Sequence, residues 1–111
     1  ERNIGVDPSE IRPAMRLLMD DARYWAEHDT YPRDELAVRF HHRLVSIHPF
    51  PNGDGRISRL MADLIVVRLG GERFTWGQAT LLRGETRSRY IAALKAADDH
   101  DLTPLITVAR S

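Results

Sequence analysis

Apolar residues recur every three or four positions along most of the chain, and that spacing predicts helices. Ile11, Met15, Leu18, Ala22 and Trp25 form the first such stripe. Asp7 stands where a helix needs a cap, and Pro8 fits a first helical turn. The run His28-Asp29-Thr30-Tyr31-Pro32 interrupts the pattern. A second helix is expected from about Arg33-Asp34, with Leu36, Ala37, Phe40, Leu44 and Ile47 facing inward. Pro49 biases His48 away from helical geometry, so this helix ends about there. A third helix is expected over 55–69, stopped by Gly70-Gly71. A short helix over 78–82 follows, then one over 85–97 with Tyr90, Ile91 and Leu94 at the core, and a last over 104–110. Only the stub Asn3, Ile4, Gly5 and Val6 reads as extended. The expected class is all-α with short connections.

With 111 residues the chain fits a single domain spanning 1–111. A chain of this size buries roughly 65% of its unfolded surface, enough for a core without covalent staples. It has no cysteine, which excludes disulfides and thiolate metal sites and suits a cytoplasmic setting. The formal charge is zero, so a nucleic-acid footprint has no basic excess behind it. No apolar run approaches the roughly 18 residues of a membrane span. No stretch has the pattern of a signal peptide. Fifteen of the sixteen basic residues are arginine, the side chain suited to phosphate and carboxylate, although biased base composition is the plainer reading of most of that excess.

One stretch changes the picture: His48-Pro49-Phe50-Pro51-Asn52-Gly53-Asp54-Gly55-Arg56-Ile57-Ser58-Arg59. It leads into Leu60-Met61-Ala62-Asp63-Leu64-Ile65-Val66-Val67-Arg68-Leu69, which reads as helix. Two cations in the first turns of a helix oppose its dipole unless an anion sits among them. A glycine-bearing loop at a helix N-terminus presents backbone N–H groups to phosphate. Gly53 and Gly55 alone would read as an ordinary turn, and His48 alone as a helix-end histidine near free carbonyls. With Arg56 and Arg59 added, the pattern predicts a phosphate site beside a histidine whose ordinary pKa suits proton transfer near neutral pH.

These residues resemble the signature of the Fic (Fic/Doc) family, His-x-Phe-x-(Asp/Glu)-Gly-Asn-Gly-Arg-x-x-Arg. His48, Phe50, Gly53, Gly55, Arg56 and Arg59 match it position for position. Phe40-His41-His42-Arg43-Leu44-Val45-Ser46-Ile47 resembles the helix leading into that motif. Tyr90-Ile91-Ala92-Ala93-Leu94 and Asp101-Leu102-Thr103-Pro104-Leu105 resemble later helices. Pro51-Asn52-Gly53 and Gly71-Glu72-Arg73-Phe74-Thr75-Trp76-Gly77 look closest to the bacterial branch called mobile mystery protein B. The resemblance implies a compact helical bundle with the motif loop between two core helices. It also implies a β-flap remnant at Asn3, Ile4, Gly5 and Val6, so the chain is expected to be a fragment lacking the part before the flap.

The resemblance further implies transfer of AMP from ATP to a hydroxyl of a target protein. His48 would be the general base and Phe50 the motif's anchor. Arg56 and Arg59 would hold the outer phosphates, and the amides of Gly53, Asp54 and Gly55 the inner ones. Mg²⁺ or Mn²⁺ would be the metal, and an antitoxin-like protein a possible regulatory partner. Two positions depart from the pattern: Asn52 replaces the acid that holds the metal, and Asp54 replaces an asparagine. An amide is a poorer ligand for a hard cation, and a carboxylate repels phosphate unless a metal lies between. Either Asp54 has taken over part of the metal role, or nucleotide chemistry is weakened. The alternatives are therefore a degenerate Fic domain that binds without transfer, or a helical interaction domain whose glycine loop is only a turn.

Other candidates read more plainly. His41 and His42 match no standard zinc spacing, even with Asp63 nearby, and read as core or surface histidines. Asp98-Asp99-His100-Asp101 lacks the spacing of a calcium loop and reads as a solvated connector. Trp25 and Trp76 read as packing residues, although Trp76 and Arg73 follow the motif helix closely enough to line a nucleotide pocket. Tyr90 could stack on adenine, but core packing is the better reading.

Overall fold

The computed structural model describes residues 7–47, 54–77 and 83–111, apart from the side chains of 54, 55 and 83. The described residues form five helices: α1 (Pro8–Glu27), α2 (Arg33–Ile47), α3 (Asp54–Arg68), α4 (Arg83–Asp98) and α5 (Thr103–Arg110). The described residues include no strand, as the all-α expectation requires. The expected extended stub at 3–6 and the short helix at 78–82 lie outside them.

Helix α2 is central because it is apolar on two sides. Ala37 and Val38 face a cluster with Ala62 and Val66 of α3, Phe74 and Trp76 of the following loop, Ala93 and Ala97 of α4, and Leu105, Val108 and Ala109 of α5. Phe40, Leu44 and Ile47 face a second cluster with Leu18 of α1, against which Met61 and Ile65 of α3 also pack. Helices α1, α3 and α5 thus each lie against α2, while α4 pairs with α5. The small residues at 37, 62, 93, 97 and 109 let the helices approach closely, which a dense core needs.

The peripheral helices are more open. Of the α1 stripe only Leu18 is fully buried; Ile11, Met15 and Ala22 are partly buried against the second cluster. Trp25 packs edge-on to Tyr31 instead. Asp7 occupies the cap position of α1, but its side chain makes no capping bond; its backbone carbonyl accepts from Glu10 N–H at 2.8 Å. Pro13 lies inside α1, on its exposed side in the second turn, where the carbonyl it leaves unpaired can reach water. Helix α3 buries one side and leaves Ile57, Leu60, Leu64 and Val67 open on another.

Three helices end alike. Thr30 N–H bonds Trp25 O, Gly71 N–H bonds Val66 O and Asp101 N–H bonds Ala96 O, each spanning five residues. The residues before them, Asp29, Gly70 and His100, have φ of 50°, 94° and 71°. This is the left-handed helix stop, which glycine adopts without steric cost. Gly71 has another reason to lack a side chain: a Cβ there would meet Val66 Cγ2 at 3.0 Å and Arg33 Nε at 3.1 Å.

Candidate functional site at the start of α3

Helices α2 and α3 pack on each other. Residues 48–53 connect Ile47, the end of α2, to Asp54, the start of α3. His48, Phe50, Asn52 and Gly53 belong to that connection and lie outside the described residues, as do Asn3, Ile4, Gly5 and Val6. Asp54 and Gly55 are the first two residues of α3.

Arg56 and Arg59 follow within the first two turns of α3, as the motif spacing predicts. Arg56 is exposed, whereas Arg59 is partly buried. The Arg59 guanidinium lies over the Tyr90 ring of α4, 5.0 Å from its centroid. Between the two arginines, Ser58 turns fully into the core. One turn of α3 therefore sets one cation in solvent and leans the other on an aromatic face.

Beneath that face is a buried polar cluster that single-sequence reading did not find. His41 of α2 is fully buried, and its Nε2 is 2.8 Å from the Tyr90 hydroxyl. Its Nδ1 has no hydrogen-bond partner among the described residues. Burial pushes the His41 pKa down to about 4; the charges of Arg59 and His42 push the same way, and the Ser58 backbone opposes them. His41 is therefore neutral near pH 7 and adds no charge beside Arg59.

Trp76 closes the cluster from the side, its ring centroid 4.9 Å from His41 and 6.2 Å from Tyr90. The expectation that Trp76 is a packing residue holds: it is buried, and its indole N–H donates to Asp63 Oδ1 at 3.0 Å. Asp63 also accepts from Arg73 Nε at 3.4 Å, so both post-motif residues tie back to α3. The signal for Asp63 was present in the sequence. A carboxylate inside the apolar run of a core helix must have a partner. His42 bonds Asp98 at the end of α4 at 2.8 Å, so the two adjacent histidines serve separate elements.

Among the described residues no group of three or more His, Cys, Asp or Glu side chains could hold a metal ion. A site for Mg²⁺ beside phosphates needs only one or two protein carboxylates. No helix of the described residues is long and apolar enough to cross a membrane.

The sequence profile of the Fic/DOC family matches residues 4–66, which takes in α1, α2 and all but the end of α3. The chain belongs to the Fic/DOC family. It is similar to the protein adenylyltransferase fic-1 of Caenorhabditis elegans, 39% identical over 94 residues that make up 83% of this chain and 17% of that protein. It is also similar to the protein adenylyltransferases Fic of Drosophila virilis and Drosophila melanogaster, 31% and 32% identical over 96 residues. Those matches again cover 83% of the chain but 18% of each relative, so the Fic chain spans under a fifth of their length. The Fic profile covers every residue of the motif, including the swapped Asn52 and Asp54.

Proposed function

We propose that this chain carries the catalytic part of a Fic-type protein adenylyltransferase. The reading is supported by the family match, which spans the motif, and by Arg56 and Arg59 lying on the first turns of α3. The relatives' names, protein adenylyltransferase, give the reaction class. The substrates are ATP and a hydroxyl side chain of a target protein. His48 takes the proton of that hydroxyl as its oxygen bonds the α-phosphorus. The bond from that phosphorus to the bridging oxygen breaks, and pyrophosphate leaves. Arg56 and Arg59 bind the outer phosphates as charge-assisted donors. The amides from Gly53 to Gly55 bind the inner ones. Such positioning and neutralisation supply most of the rate, since phosphoryl-type transfer asks little covalent work of the protein.

Asp54, with Asn52 beside it, is the pair that would hold Mg²⁺. Bound there, the ion would neutralise charge on the phosphates. Asn3, Ile4, Gly5 and Val6 would pair with the target's backbone as an added strand. The Asn52 and Asp54 exchange supports one further reading, a domain that binds nucleotide without transferring it.

Incubation with ATP labelled at its α-phosphate, Mg²⁺ and lysate proteins separates the two readings. Labelled protein is the expected result, and His48→Ala should lower its rate at least about 100-fold while nucleotide affinity stays nearly the same. Binding without label supports the second reading. Absence of both sinks the nucleotide site.

A further inference from the structure

Tyr90 and His41 lie outside the Fic motif, yet they form the surface on which its second arginine rests. Among the described residues, His41 and Trp76 hold the Tyr90 ring. Its hydroxyl is 2.8 Å from His41 Nε2 on α2, and its ring meets that of Trp76 edge-on, at 88°. It then carries the Arg59 guanidinium at 5.0 Å, within cation–π range. A guanidinium lying on a ring still presents its N–H donors at its edge. A carboxylate partner would orient the arginine too, but would cancel the charge that a phosphate needs. A neutral ring orients it without that loss. Arginine is among the side chains that lose most rotamer freedom on being fixed, so a preformed platform lowers the cost of gripping phosphate.

We propose that Tyr90 is a positioning residue for the outer phosphates of ATP: its ring holds Arg59, and His41 holds the ring. The proposal rests on the reading of the start of α3 as a phosphate site. It differs from adenine stacking by Tyr90, because its effect reaches only ligands with outer phosphates.

Titration calorimetry of the full chain with ATP and with AMP tests it. Tyr90→Met keeps buried volume without a π face and should weaken ATP binding about fivefold, with AMP affinity within about twofold. Tyr90→Phe keeps the face and its edge contact with Trp76 but gives up the His41 bond, and should recover part of the loss. Equal losses for ATP and AMP, an unchanged ATP affinity in Tyr90→Met, or a Tyr90→Phe variant as weak as Tyr90→Met would each overturn it. Arg59→Ala separates the two levels. If it leaves ATP affinity unchanged, the phosphate reading itself fails. If it weakens ATP while Tyr90→Met does not, only the positioning role fails. Should Tyr90→Met not melt cooperatively, phenylalanine and pentafluorophenylalanine at position 90 replace it. Weaker ATP binding with the fluorinated ring supports the proposal, and equal binding overturns it.

Discussion

His41 shows how one buried side chain can set the acid limit of a small domain. It is neutral when folded, with a pKa near 4, against 6.5 when exposed. The unfolded chain therefore takes up the proton first as pH falls. Stability from this residue is complete above about pH 6.5, declines toward pH 4 and falls no further below that. The shift corresponds to about 3 kcal/mol. Urea midpoints should fall between pH 6.5 and 4, and His41→Gln should flatten that slope. An equally steep slope in the variant would remove His41 from the account. The sequence reading left this residue as core or surface, because position alone does not reveal burial. That Arg56 and Arg59 lie on the first turns of α3 was legible, since a glycine loop running into an apolar helix is a local signal. The Asp63–Trp76 bond joins residues far apart in the chain through a loop in which Trp76 has φ of 56°, and no periodicity encodes that.

At the level of elements, helix boundaries were legible to within one or two residues because proline and glycine punctuate them. Pro32 precedes α2, Gly70-Gly71 follow α3, and Pro104 lies in the first turn of α5. The stops of α1 and α4 carry no glycine to announce them; a left-handed Asp29 or His100 stands there instead. Those two stops are also the place to gain stability. A left-handed L-residue costs roughly 1–2 kcal/mol, partly offset by the extra chain entropy that glycine brings. His100→Gly should therefore raise stability by about 0.5–1 kcal/mol, seen as a melting temperature higher by a few degrees. Asp29→Gly should gain less, because aspartate tolerates this region better. A drop in melting temperature for His100→Gly would mean that its side chain contributes more than its backbone strain costs.

The whole molecule is closed by a contact between elements distant in sequence. Arg110, the last residue of α5, grips Asp34 at the start of α2 through two bonds of 2.7 and 2.6 Å. It also lies over the Phe74 ring at 4.4 Å. The Arg110 hydrogen bond, then its charge, holds the Asp34 carboxyl below its ordinary 3.8, with burial opposing. That stability is present above about pH 3.8 and is lost as pH falls through the lowered value. The pair is about one-third exposed, so solvent screens it. Arg110→Ala should cost about 1 kcal/mol at pH 7 by chemical denaturation, and less once Asp34 is protonated in acid. A cost that stays constant with pH would assign the effect to Phe74 instead. The buried indole beside His41 has one more consequence, an optical one. A protonated imidazole quenches neighbouring indole emission, and Trp76 lies 4.9 Å from that ring while Trp25 sits against Tyr31 near the surface. The intrinsic fluorescence of the folded protein should thus contain a dim-when-acid component and a steady one, a built-in gauge of the protonation of its own core.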